Sequence, residues 1–199
     1  MLQPEYFIRI DGVFGDTQFD SSYGAGWFRI SAHDLDVLTG LSFEPEGIRT
    51  GSPDFSSITV ELELGSSVSL FKQVIADTQR IDSLQIVGVV NASSKVATVY
   101  DLRLADVRLT GLGNQSDNSA QLNLDYERFG ISTTPQLADG TFGKIQTYAY
   151  DRITGNEILF GSLPVPPILS DSLSRRSASA SEYWLKMARR RLGSARLRS

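Results

Sequence analysis

The 199-residue chain suits one domain plus an extension, with 41% hydrophobic and 21% charged residues, ordinary values for a globular protein. It has no cysteine and a single histidine, His33. This excludes disulfides and thiolate chemistry, together with most histidine-based metal and acid–base sites. The net charge of −4 hides an asymmetry: residues 1–167 hold 11 Lys and Arg against 21 Asp and Glu, whereas residues 168–199 hold 8 against 2. An acidic body therefore carries a basic tail.

The first residues lack the pattern of an export signal. Pro4 and Glu5 lead directly into a β-rich run, without a basic start and a following apolar stretch. No apolar run in the chain approaches the roughly 18 residues of a membrane helix. We therefore expect a cytoplasmic chain with no signal peptide and no membrane insertion, which could reach the outside only through a dedicated apparatus.

The first half of the chain alternates β-rich runs with polar, glycine-bearing segments. Residues 6–10 and 26–31 predict strands. Residues 39–57 contain three glycines and two prolines, so they predict a long projecting loop, a type of segment that is often functional. In residues 58–64 apolar and polar side chains alternate strictly, which predicts a strand with one wet face.

One short helix is predicted after this strand. Gly65 ends the strand, Ser66 or Ser67 can cap a helix, and apolar residues then recur at helical spacing to about Gln79. Four further strands are predicted beyond it, over residues 83–90, 96–109, 120–131 and 141–153.

The last three of these strands are long and change phase, and the change is clearest in two of them. In residues 96–109 the apolar face moves from even to odd positions after Leu104, and residues 120–131 show the same change after Tyr126. Such a change indicates a bulge or sharp bend, and long bent strands close a sheet into a barrel. We therefore predict that residues 1–163 form a mainly β domain, a small antiparallel β-barrel or two packed sheets with one flanking short helix.

The last segment, residues 164–199, is predicted to be a proline linker followed by a basic C-terminal tail, helical or disordered. Ser179 and Glu182 fit a capping box ahead of the most basic part. Its candidate binding residues for nucleic acid or an anionic membrane surface are Trp184, Arg189, Arg190 and Arg191. We favour the alternative, a loose tail that neutralises the acidic body, so nucleic acid is not an expected partner.

Two further motifs have ordinary explanations. His33 with Asp34 and Asp36 could suggest a metal or acid–base cluster, but one histidine without a partner spacing favours a solvated loop at a strand end. The G-x-G beginning at Gly111 does not open a helix, which favours a hairpin turn over a dinucleotide site. We predict no catalytic residues, no cofactor, no metal and no enzyme activity.

Several segments, taken in order, resemble the motifs of one protein family. Residues 7–15 match an opening F-x-x-I-x-G-x-x-G, and residues 26–30 resemble a G-W-I strand. Residues 100–109 resemble a Y-x-L-x-D-V-x-V strand, and residues 135–140, P-Q-L-A-D-G, match a P-Q-x-A-D-G loop. Over residues 6–153 the chain resembles the Hcp (haemolysin-coregulated protein) family, the tube proteins of the bacterial type VI secretion system.

The resemblance implies a structural protein that forms a homo-oligomer, a hexameric ring, and rings that stack into a tube like that of a phage tail. It implies export by a contracting sheath, so effector cargo, sheath and spike proteins are the expected partners. The expected ring or stacking interface comprises Glu44, Arg49, Asp54, Glu61 and Glu63. Two alternatives remain open: a secreted effector or vehicle whose basic tail binds a membrane or nucleic acid, and a phage-like tail tube protein.

Overall fold

The computed structural model describes residues 3–13, 25–44, 47–63, 68–77, 79–92, 95–115, 119–137 and 139–167. The elements in these residues are, in chain order, β1 (Glu5–Ile10), β2 (Phe28–Asp34), β3 (Val37–Glu44), β4 (Gly47–Phe55), β5 (Ile58–Glu63), α1 (Val68–Ala76), β6 (Arg80–Ala92), β7 (Lys95–Gln115), β8 (Ser119–Asp125), β9 (Arg128–Thr133), β10 (Gln146–Asp151), β11 (Asn156–Glu157) and a 3-10 turn (Phe160–Ser162).

Six strands close into an antiparallel barrel. β1 pairs with β2 and β6, β2 with β5, and β5 with β8. The circle is completed by β7, which pairs with both β6 and β8. Closure leaves the barrel without an open edge. The prediction of a mainly β chain with a small barrel and one flanking helix is therefore confirmed.

Apolar side chains at alternate positions along the strands fill the interior of the barrel. Ile58, Val60 and Leu62 of β5 are buried, whereas Thr59 and Glu61 between them are half-buried on the outer face. The fully buried centre is formed by the matching positions of the other strands, including Ile8, Ile86, Leu102, Leu104, Leu122 and Leu124. Each such side chain contributes roughly 1.5–3 kcal/mol through its removal from water, so the apolar parity fixes which face of every strand points inward.

The bend predicted in β7 lies at Asp106. Its backbone has φ of +60°, the left-handed region that side chains other than glycine, asparagine and aspartate adopt rarely. β7 pairs with β6 from Lys95 to Arg108, with β9 from Tyr100 to Ala105, and with β8 from Arg108 to Gln115. One 21-residue strand therefore forms barrel wall along both halves, and its first half also carries the outer strands through β9.

Three predicted boundaries are wrong. Residues 120–131 form two strands, β8 and β9, because Tyr126 and Glu127 break the ladder where the parity changes. The predicted strand 141–153 is reduced to β10. The predicted turn at Gly111 lies inside β7, because its pairing with β8 continues through a register shift to Gln115.

Residues 39–57, predicted to be a loop, instead contribute to a β-hairpin. β3 and β4 pair from Val37 opposite Phe55 to Glu44 opposite Gly47, as a separate two-stranded sheet. The ladder shifts between Thr39 and Leu41, next to the position opposite Pro53. Glycine at a bulge and proline on an edge are compatible with a ribbon in which each strand needs only one partner.

The helix α1 covers one end of the barrel. Phe71 and Val74 are buried, and the Phe71 ring lies 5.2 Å from that of Phe28, the first residue of β2. The predicted helical periodicity is confirmed, with the end at Ala76 rather than Gln79. The predicted caps, Ser66 and Ser67, lie outside the described residues.

Beyond the barrel, β9, β10 and β11 extend the sheet from the first half of β7. Residues 158–167 then return across the outer face of this part of the sheet. Leu163 is buried with Ala105 and Ala149, and its side chain lies directly over Gly130, leaving no room there for a Cβ atom. We call β9–β11 with residues 158–167 the extension. The predicted domain boundary near residue 163 remains a prediction, and the predicted tail lies outside the described residues.

Candidate functional site

His33 lies inside the structure rather than in a solvated loop. It is in β2, half-buried, with its ring centroid 4.9 Å from Tyr6 and 5.0 Å from Tyr100. The strand continues past the residues predicted to end it because Ala32, His33 and Asp34 pair with β5 beyond a bulge. Gly88 is required beside this group, since a Cβ atom there would lie 2.7 Å from the Tyr6 ring.

Burial determines the protonation of this aromatic group. It lowers the pKa of His33, an effect that the neighbouring Asp34 carboxylate opposes only in part. Burial likewise raises the pKa of Tyr100. Both rings are therefore uncharged at neutral pH and pack as an apolar plug at the end of β2 opposite Phe28. Among the described residues no three His, Cys, Asp or Glu side chains are grouped to hold a metal ion.

A buried polar ladder crosses the outer face of three strands. Arg9 of β1 donates to Gln85 of β6 (3.3 Å), and Gln85 donates to Asp101 of β7 (2.9 Å). Arg103 donates to the same carboxylate at 2.8 Å and lies over the Phe160 ring, 4.3 Å from its centroid. The hydrogen bonds of the ladder link β1, β6 and β7, and the contact between Arg103 and the Phe160 ring joins it to residues 158–167.

A charged corner surrounds the bend in β7. The Asp106 carboxylate accepts from Arg80 and Arg128, each at 2.6 Å, and Arg80 also contacts Glu127 at 3.2 Å. Partial burial alone would raise the pKa of Asp106, but the hydrogen bonds and charges of Arg128 and Arg80 outweigh it and hold that pKa below its usual value. The corner thus fixes β6, β7 and β9 relative to one another.

The root of the hairpin is anchored to the barrel next to this corner. Tyr126 donates to the Ser56 carbonyl at 3.0 Å, and burial raises the pKa of Tyr126 to about 12. Asp36 and Ser56 are joined by a backbone hydrogen bond and a side-chain hydrogen bond. Phe55 packs 4.7 Å from Phe129. These contacts hold the start and end of the hairpin against Tyr126, which follows β8, and against Phe129 of β9.

The structure divides the predicted interface residues into two groups. Glu44 and Arg49 lie near the tip of the hairpin, and Asp54 lies exposed near its root. Glu61, half-buried, and Glu63 lie on β5, opposite Gln121 and Ser119 of β8. The predicted tail residues Trp184, Arg189, Arg190 and Arg191 lie outside the described residues.

Two open depressions flank the turn between β10 and β11. One, of about 330 Å³, lies between Asp106, Arg108 and Arg152; the other, of about 390 Å³, lies between Asp54, Tyr150 and the same Arg152. Arg152 donates to the Asp125 carboxylate at 2.8 Å and to the Tyr126 carbonyl at 2.7 Å. Several charged side chains that line the two depressions are joined in ion pairs, an arrangement that stabilises a surface turn. They are Asp106, Asp125, Glu127 and Arg152.

Sequence reasoning missed the outer edge of β10. Residues 144–148 are all exposed, and 60% of Ile145 and 38% of Tyr148 remain accessible. Nearby Leu159 is 80% exposed. The available signal was the uncharged run I-Q-T-Y-A at 145–149, in which apolar residues occupy both parities.

Comparison with known proteins identifies the fold. No family model and no curated protein matches the sequence. In structure, the chain is similar to a type six secretion system protein, with 15% identity, a TM-score of 0.68, and coverage of 78% of this chain and 99% of that one. It is also similar to Hcp1 from Salmonella typhimurium (12% identity, TM-score 0.62, 79% and 100% covered) and to the secreted protein Hcp3 from Pseudomonas aeruginosa (11%, 0.50, 74% and 97%).

These likenesses confirm that the chain has the Hcp fold, as the order of its motifs predicted. The identities are low, so the property that these likenesses show is the fold alone. No helix within the described residues has the length and apolar character needed to cross a membrane.

Proposed function

We propose that this chain is a structural subunit of a bacterial type VI secretion tube, which assembles as hexameric rings that stack and leave the cell. The supporting observation is coverage: the fold matches 97–100% of each compared chain, so the likeness extends to the whole of those small proteins. The proposed role is binding and assembly without catalysis. Effector cargo, sheath and spike proteins are the proposed partners, with a cytoplasmic stage before export.

The arrangement of strands supports this proposal. A closed barrel needs no neighbour for its own backbone, whereas the hairpin and the extension lie outside the closed ladder. Different surfaces of one chain can then meet head to tail, which is the contact that generates a ring. We propose Glu44, Arg49 and Asp54 of the hairpin, and Glu61 and Glu63 of β5, as interface positions.

The test is the mass of the purified chain in solution, with negative-stain images of the same sample. We expect ring-shaped particles with the mass of six subunits. A strict monomer up to high micromolar concentration would overturn the proposal.

Charge reversals test the interface positions. We expect Glu61→Lys to weaken ring assembly because it places the opposite charge at a proposed contact. The matched control is Lys72→Glu on the exposed face of α1, which is expected to leave assembly unchanged. Equal ring populations in both variants would remove β5 from the interface.

The charge of the tail supports a second candidate function. Residues 168–199 contain eight basic and two acidic side chains, the composition of a segment that binds an anionic surface. In this alternative the barrel delivers a tail whose binding residues are Trp184, Arg189, Arg190 and Arg191. Removing residues 168–199 separates the two candidates: rings should persist if the body assembles, and sedimentation with phosphatidylserine vesicles or single-stranded DNA should be lost if the tail binds them.

A further inference from the structure

The outer edge of β10 has unpaired backbone groups. Its other edge pairs with β9 without interruption, from Gln146 opposite Thr133 to Asp151 opposite Arg128. On the outer side the short β11 covers only Tyr150 and Asp151, and Ile158 donates to the Ala149 carbonyl. The outer edge therefore loses its partner on the N-terminal side of Ala149.

Strand geometry identifies which groups point away from the sheet. The Ala149 carbonyl is directed at the outer side, and residues two apart in a strand direct their N–H and C=O groups the same way. The N–H and C=O of Thr147 thus face outward too. In the described chain neither group has a hydrogen-bond partner.

This edge lacks the features that normally keep strand edges apart. Soluble proteins protect such edges with charges, prolines or bulges. Residues 145–149 contain neither a charge nor a proline, the register with β9 shows no bulge, and the nearest charge, Lys144, lies two residues before the first paired position. Ile145, Tyr148 and Leu159 instead expose large apolar surfaces along it.

We propose that residues 145–148, the outer edge of β10 together with the residue that leads into it, form a strand-pairing interface for a second copy of this chain. The inference rests on the ring assembly proposed above and names the surface through which neighbouring subunits join. A second copy is a suitable partner because it carries complementary free edges: among the described strands, β3 and β4 pair only with each other. Pairing a β10 edge with a different edge of the next copy is a head-to-tail contact, as a closed ring requires.

Thr147→Pro tests the interface directly. Proline removes the outward N–H but none of the hydrogen bonds to β9, and edge strands tolerate it in this orientation. The matched control, Thr147→Val, keeps the N–H and has high strand propensity. Native mass spectrometry is expected to show hexamers for the wild type and Thr147→Val, and a loss of at least tenfold in the hexamer population for Thr147→Pro.

A second variant tests the interface independently of whether Thr147→Pro folds. Ile145→Lys puts a charge on the same edge at a position that is already 60% exposed, so the melting temperature is expected to remain within a few degrees of the wild-type value. It should also lose hexamers. Intact hexamers in Ile145→Lys, or in a folded Thr147→Pro, would overturn the edge proposal and leave the proposed function standing. A monomeric wild type would overturn both.

Discussion

The barrel and the extension differ in how completely their strand edges are paired and their apolar side chains are buried, although β7 pairs with strands of both. In the barrel the described strands pair on both sides with other strands of the chain, and fully buried aliphatic side chains such as Ile58, Leu104 and Leu122 form its centre. In the extension β10 has one incomplete edge, and its exposed apolar residues include Ile145, Ile153 and Leu159. β7 is hydrogen-bonded into both parts, and at the bend at Asp106 its second partner changes from β9 of the extension to β8 of the barrel.

This difference separates stability from assembly. Burial in the barrel provides most of the driving force for folding, whereas exposed apolar edges cost little in the monomer and become useful on association. Substitutions in the barrel should therefore change the free energy of unfolding, and substitutions on the outer edge should change the oligomeric state. The bend in β7 and the packing inside the extension should show intermediate effects.

The largest expected effect is in the barrel centre. Leu104→Ala should lower the free energy of unfolding by about 3 kcal/mol, because it leaves a cavity among fully buried neighbours. Leu159→Ala in the extension is the matched control, and its effect should stay within about 0.5 kcal/mol. Urea unfolding followed by circular dichroism measures both. Equal losses would contradict the division between the two parts.

The packing of residues 158–167 on β9, inside the extension, comes next. Gly130→Ala should destabilise the chain by about 2 kcal/mol, because the added Cβ atom would displace Leu163 and approach Phe160 to 2.8 Å. Gly113→Ala is the control, since nothing lies within 4 Å of the Cβ position there. The same unfolding measurement applies, and a neutral Gly130→Ala would show that residues 158–167 do not pack on β9.

The bend in β7 should show a smaller effect. Asp106→Ala and Asp106→Asn both remove the charge that Arg80 and Arg128 contact, but only asparagine tolerates the φ of +60°. We expect the alanine variant to be less stable than the asparagine variant by about 1 kcal/mol. Identical unfolding curves at neutral pH would mean that the backbone conformation at Asp106 carries no strain.

The aromatic plug should make stability depend on pH. Because burial lowers the pKa of His33, the unfolded chain binds a proton on this residue before the folded chain does. Stability that is fully present above the ordinary histidine pKa of 6.5 is therefore lost as the pH falls from there towards the lower folded value. His33→Phe keeps a ring between Tyr6 and Tyr100 and should flatten this dependence between pH 7 and 5.5. Urea unfolding at several pH values measures the free energy of unfolding of both chains. An equally steep loss of stability with falling pH in His33→Phe would contradict this prediction.

Local sequence patterns predicted the barrel well because its determinants are local. The parity of apolar residues identified β5 and the inward faces of β7 and β8, and the change of parity after Leu104 located the bend within two residues of Asp106. Alternation is a direct consequence of strand geometry, so it is visible in sequence wherever one face is buried. The order of motifs led to the Hcp fold for the same reason, since each motif marks a strand or turn of fixed position.

Tertiary structure decided which segments meet. Residues 39–57 carry loop-forming residues, yet pairing between β3 and β4 makes them part of a hairpin. His33 looked like a solvated residue because the sequence does not show that Tyr6 and Tyr100, far apart along the chain, pack against it. The free edge of β10 is likewise invisible in sequence, because an edge is defined by the absence of a neighbouring strand. Sequence by itself determined the fold class and the inward faces, because periodicity follows from strand geometry. Long-range pairing determined the aromatic plug, the packing of residues 158–167 on β9 and the incomplete edge of β10.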